Sequence, residues 1–273
     1  MDIFSFFQYE FIWRAVISGS FIALVCSILG VLLVLRRLSL IGDGLAHVTF
    51  GSVAIGLLFK QHPVYLSIPI VMASSLAILK LTEKAKLYGD AAIGIVSSLG
   101  IAGGIIIASV AGGFNIDIFS FLFGNILSIS QAEVLTSIAL SIVVLLSIFF
   151  FYHEHFATAF DEEFAKISGI DTRKINAILV LLTGITVVLA MKIVGIMLTS
   201  SLLILPSVTA LQIARSFKST MVVSSICGIV SVIIGIYASF VMNLPTGATI
   251  VMANFLLFLT AYAYKNAVQR KYH

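Results

Sequence analysis

The sequence predicts an all-α, polytopic membrane protein of about nine transmembrane helices, and three observations carry that prediction. Hydrophobic residues make up 60% of the 273-residue chain and charged ones only 10%, against about 45–50% and about 25% in a water-soluble globule. The apolar residues fall in runs of about 20, the length that crosses a hydrocarbon layer about 30 Å thick. Charged residues lie between those runs rather than in blocks. A soluble core of this composition would lack the polar surface to cover it. The net charge of +4 does not point to nucleic acid, which needs basic groups gathered on one face. Cys26 and Cys227 both lie inside apolar runs, where a small buried hydrophobe is the ordinary role.

The crossings are expected at 11–35, 43–59, 63–82, 91–112, 131–152, 175–191, 193–214, 219–242 and 246–265. The break at Lys192 divides a nearly continuous apolar stretch from 175 to 214, too long for one span, and reads as a tight hairpin. Residues 113–130, with Asn115, Asp117 and Asn125, are too polar to cross and are expected on the surface or as a re-entrant segment. Gly100 and Gly104 form a G-x-x-x-G within the fourth run, a pattern that lets helices approach closely in lipid.

Orientation follows from lysine and arginine, which stay on the cytoplasmic side during insertion. Nine crossings place 13 of the 16 basic residues on one side, leaving only Arg14, Lys60 and Lys192 on the other. The N-terminus is therefore expected outside and the C-terminus in the cytoplasm. An eight-span arrangement would send later basic loops outside. Met1 to Glu10 has no basic stretch of the kind that opens a cleaved signal peptide.

Ionisable side chains inside a membrane are expensive and mark function by default. Asp43 and His47, in Gly42-Asp43-Gly44-Leu45-Ala46-His47, are four apart and share one helix face. A carboxylate and an imidazole so placed suit zinc, manganese or iron. Two ligands are too few for a tetrahedral site, and a symmetric dimer would supply four. The competing reading is that Asp43 caps its helix and His47 makes one internal hydrogen bond. Asn254, inside the last span, is expected to bond to another helix. Leu205-Pro206-Ser207 can kink the seventh span.

The long polar interruption runs from His153 to Asn176. Within it, Asp161 can cap a short helix ending at Gly169, leaving Phe160, Phe164 and Ile167 available to a partner or docked on the chain's own bundle. His153 and His155 could share a metal only if that segment were extended. No G-x-x-x-x-G-K-[ST] occurs, so the chain cannot bind ATP by a P-loop. The absence of H-E-x-x-H and G-x-S-x-G leaves intramembrane proteolysis and lipase chemistry without support.

Several segments taken in order resemble the membrane permease of the bacterial zinc/manganese/iron ABC importers. They are Gly42 to His47, Leu122-Phe123-Gly124-Asn125-Ile126-Leu127, Phe160-Asp161-Glu162-Glu163-Phe164-Ala165, Val194-Gly195-Ile196-Met197-Leu198 with Leu203-Ile204-Leu205-Pro206, and Leu244 to Val251. The resemblance covers nearly the whole chain. It implies a single permease domain over residues 1–273, in the bacterial cell membrane, with a cytoplasmic coupling segment at 153–175. It implies a homodimer, a cytoplasmic dimer of P-loop ATPases that hydrolyses the ATP, and an extracellular metal-binding lipoprotein. Asp43 and His47 of both protomers would hold the transported Mn2+, Zn2+ or Fe2+, with no permanently bound cofactor. The segment from Asp161 to Ile170 would seat in a groove of the ATPase, with Phe160, Asp161, Glu162, Glu163, Phe164, Ala165, Ile167 and Gly169 as the coupling residues. The family commonly has a basic residue near His153 to His155, where this chain has histidines. Other readings are a permease for a metal chelate such as a siderophore or cobalamin, an ATP-independent metal carrier, and a membrane scaffold without transport.

Overall fold

The computed structural model describes residues 9–84, 88–111, 118–125 and 129–269. Of the expected features, Gly112, Gly113, Asn115, Asp117, Ile126, Leu127 and His273 lie outside the described residues. Among those described, all regular structure is helical. In chain order the helices are α1 Glu10–Leu35, α2 Ile41–Leu58, α3 Pro63–Lys84, α4 Gly89–Val110, α5 Ile118–Phe123, α6 Gln131–Phe150, α7 Tyr152–Phe160 and α8 Glu162–Ile167. They continue with α9 Thr172–Ala190, a 3-10 turn Ile196–Leu198, α10 Thr199–Ile213, α11 Phe217–Met242 and α12 Thr246–Gln269. Nine of the described segments are long and apolar enough to cross a membrane. These are α1 to α4, α6, α9, the 3-10 turn with α10, α11 and α12, matching the nine runs expected from the sequence.

Small residues set the packing, because helices in lipid associate through close backbone approach rather than by expelling water. On α4, Gly100 sits against the backbone of Val48 and Gly104 against Gly51, so the G-x-x-x-G closes the α2–α4 contact inside the chain. At the centre, α1 packs against α6, α10 and α11. There the Ser27 carbonyl accepts from Ser207 Oγ and Ser224 Oγ, each at 3.1 Å. Pro206 lies within α10, which continues through it to Ile213. Asn254 departs from expectation: its Nδ2 donates to Ile250 O of its own helix at 3.4 Å. Back-bonding along one helix competes with a bond between helices.

The seventh span is broken. Its helix α10 has 15 residues, about 22 Å of rise, and is preceded by irregular chain in which Met191, Ile193 and Val194 are buried. Non-helical backbone at such depth must be enclosed by protein. Three glycines provide the enclosure. Gly195 (φ +90°) and Gly124 (φ +77°) adopt backbone conformations that L side chains avoid. A Cβ on Gly195 would overlap Leu122 O, one on Gly124 would overlap Ile193 O, and one on Gly247 would overlap Val194 O. Asn125 N also donates to Lys192 O at 3.1 Å. Three motifs far apart in sequence thus form one knot, with α5 folded back onto it.

Candidate functional site

Asp43 lies in the first turn of α2 and His47 one turn on, both facing the same side. His47 Nε2 is 3.6 Å from Asp43 Oδ2, and the side chains are 22% and 50% exposed respectively. The capping alternative fails here: the residue before α2 is Leu40, and no side chain caps this end. Instead Asp43 Oδ1 accepts from Ser200 Oγ at 3.4 Å. Ser200 belongs to the first turn of α10. The second and seventh of nine crossings set out from opposite membrane faces, so their first turns can meet only if one begins inside the bilayer. The buried, irregular approach to α10, with Met191, Ile193 and Val194 enclosed, immediately precedes that turn. Among the described residues no three His, Cys, Asp or Glu side chains gather closely enough to hold a metal. One chain thus offers a half-exposed carboxylate and a more enclosed imidazole, with no further ligand of those types beside them among the described residues.

The segment expected to meet a partner is a pair of short helices. Asp161 ends α7 and caps α8, accepting from Phe164 N at 2.9 Å, and Gly169 (φ +88°) follows the turn that closes α8. Phe160, Phe164 and Ile167 are 64%, 65% and 86% exposed. Glu163 also faces outward, whereas Ala165 is buried against the chain's own helices. Glu162 turns inward: its Oε2 is 3.3 Å from Arg36 Nη2, and its Oε1 accepts from Asn176 Nδ2 at 3.4 Å. Arg36 also donates to Asn176 Oδ1, which closes a triad across α1, α8 and α9. Burial alone would raise the Glu162 carboxyl, but Arg36, Lys166 and Asn176 outweigh it and hold the group below its ordinary value.

The His153 to His155 string is helical, within α7. His153 is exposed while His155 is 1% exposed, so the two do not share a metal. Neither ring nitrogen of His155 has a hydrogen-bond partner among the described residues. Burial first, then the charge of Arg36, push its imidazole down to about 4. Phe156 and Phe160 pack on Phe217, with centroids 5.1 and 6.1 Å apart, tying α7 to the start of α11.

Sequence reasoning missed a third cluster. Glu133, in a capping box with Ser130 at the start of α6, lies 3.1 Å from Lys192 Nζ and 3.6 Å from His62 Nε2. Only the S-x-x-E pattern of Ser130 and Glu133 was legible beforehand. Ser200 and Asn176 were likewise ordinary polar residues until the fold gave them partners.

Comparison with known proteins agrees with this architecture. The manganese transport system membrane protein MntC of Listeria monocytogenes is 32% identical over 257 residues, covering 94% of this chain and 91% of the relative. The high-affinity zinc uptake system membrane protein ZnuB of Haemophilus influenzae is 27% identical, over 92% of this chain and 97% of that one. Among solved structures, PsaBC from Streptococcus pneumoniae in complex with Fab superposes with a TM-score of 0.82 at 29% identity, covering 95% of this chain and 94% of that one. With nine apolar segments of spanning length, relatives that are membrane proteins along nearly their whole length, and residues 8–265 matching the family pattern, this multi-pass membrane protein belongs to the ABC 3 transport family.

Proposed function

We propose that the chain is the permease of an ABC importer that moves a divalent transition metal, Mn2+, Zn2+ or Fe2+, into the cytoplasm. The observation that carries this reading is the Asp43–His47 pair, 3.6 Å apart near the start of a helix of spanning length, in a chain whose relatives are named for manganese transport and zinc uptake. A carboxylate and an imidazole are ligands common to these metals. The permease works as a homodimer, whose two-fold axis brings two such pairs together to complete four ligands. Exposed small residues on α4, Gly94, Ser98 and Ala102, support close approach of a second copy beside α2.

In this reading the excess of basic residues puts the N-terminus outside and the α7–α8 segment in the cytoplasm. A separate P-loop ATPase dimer seats on Phe160, Phe164 and Ile167, and an extracellular lipoprotein delivers the metal. ATP hydrolysis belongs to the partner, and the chain itself is not an enzyme. Nucleotide-driven closure of the ATPase pulls on α8, and the Arg36–Glu162–Asn176 triad passes the pull to α1 and α9. The metal site binds strongly enough to replace hydration and weakly enough to release its ion.

The test is metal-by-metal uptake in cells lacking the chain, with and without the native gene and an intact ATPase. ATPase-dependent uptake of one of the three metals supports the reading. Uptake by the purified chain alone in vesicles would make it an ATP-independent carrier and overturn it, as would transport restricted to a metal chelate.

A further inference from the structure

We infer that Ser200 is a positioning residue for the transported metal, holding one oxygen of Asp43 so that the other faces the ion. This rests on the reading of Asp43 and His47 as the metal site. The carboxylate is bracketed. Its Oδ2 faces His47 Nε2 at 3.6 Å, and its Oδ1 faces the Ser200 hydroxyl at 3.4 Å. Among the described residues these are the polar side chains in contact with Asp43. Oδ2 and Nε2 therefore form the two-point grip on the metal, and Oδ1 is the oxygen left to be oriented. A neutral hydroxyl is suited to that task, because it donates a hydrogen bond without adding a charge that would repel the cation.

The separation exceeds the usual O–H···O distance of about 2.8 Å. A side-chain adjustment of about 0.6 Å closes it. The backbone beneath Ser200 is fixed from both sides. Thr199 Oγ1 donates to Gly195 O at 2.7 Å, anchoring the first turn of α10 to the glycine knot. On the other side Gly42, the neighbour of Asp43, has no side chain, and a Cβ there would lie 3.9 Å from Ser200 Cα and 2.7 Å from Leu203 Cδ1. The two first turns are thus held close enough for the hydroxyl to reach. Groups that orient a metal-ligating carboxylate act on affinity, and losing one typically weakens binding about 10–100-fold.

The same stretch of chain carries a second anchor. Lys192, on the same irregular approach to α10, is paired with Glu133 of α6.

The experiment measures binding of Mn2+ and Zn2+ to the purified full-length chain, alongside the unfolding midpoint of the metal-free protein. Ser200→Ala is expected to weaken binding about 10–100-fold with the metal-free midpoint unchanged, and Ser200→Thr to restore affinity to within about threefold, since it returns the hydroxyl. If Asp43→Ala abolishes binding while Ser200→Ala binds like the native chain, the role of Ser200 is overturned and the metal site stands. If Ser200→Thr fails to rescue, or Ser200→Ala lowers the metal-free midpoint in step with affinity, the effect is structural and the inference fails. Undiminished binding by Asp43→Ala would remove the metal site itself, and this inference with it.

Discussion

Arg36 at the end of α1 and Glu162 in the first turn of α8, 126 residues apart, meet at 3.3 Å, and Asn176 of α9 bonds to both. The Arg36 side chain is only 7% exposed, so that carboxylate is what compensates its charge away from water. Removing the partner of a buried charge costs more than the pair itself contributes. Glu162→Ala is expected to lower stability by roughly 1–2 kcal/mol, discounted for the partial exposure of Glu162. It should also uncouple transport from ATP hydrolysis. Thermal unfolding and metal-stimulated ATPase rates of the assembled transporter check this, and a variant with native coupling would refute the triad as a transmission element.

Phe164 projects from α8 with most of its ring exposed. Phe164→Asp places a charge on the apolar surface proposed to seat the ATPase. The expected outcome is loss of co-purification with the ATPase subunits by at least tenfold, with normal abundance of the permease in the membrane. Full retention of the ATPase would show that the partner binds elsewhere.

Asp43→Ala and His47→Ala each leave one side chain of the proposed metal-binding pair. Uptake of radioactive metal is expected to fall at least tenfold in either variant, while assembly with the ATPase persists. Normal accumulation in either variant counts against the site.

Gly195 (φ +90°) has Leu122 O where a Cβ would stand. Gly195→Ala is expected to cost roughly 1–3 kcal/mol from backbone strain alone, before the overlap is relieved. Reduced membrane abundance and a lowered unfolding midpoint would report it, and an unchanged midpoint would contradict the knot.

His155 has a folded-state pKa of about 4 against an ordinary value of 6.5, so the folded form binds fewer protons between those values. Stability around α7 is therefore full above about pH 6.5 and declines as pH falls towards about 4. Arg36 disfavours the imidazolium and Glu154 favours it. In His155→Leu the acid-induced decline between these limits is expected to shrink, measured as the unfolding midpoint against pH. An identical pH profile would rule His155 out as its source.

How much of this was legible in the sequence varies with the range of the interaction. The spans were readable because lipid demands a continuous apolar run for each crossing, and the break near Lys192 showed as a run too long for one helix. The cap at Asp161 and the turn at Gly169 were readable for the same local reason. The Asp43–His47 pair was visible as i, i+4 spacing, though spacing alone left helix capping open. Asn254 went the other way, since nothing local distinguishes a bond along its own helix from one to a neighbour.

Sequence by itself therefore determined the membrane class, the nine spans and the placing of Asp43 and His47 on one helix face, because each depends on residues within a few turns of one another. Tertiary structure alone decided that Ser200 meets Asp43, that Arg36 meets Glu162, and that Gly124, Gly195 and Gly247 lock one broken span. Those contacts join segments that no periodicity relates. Close backbone approach creates them, and it is fixed only when every helix has found its neighbours.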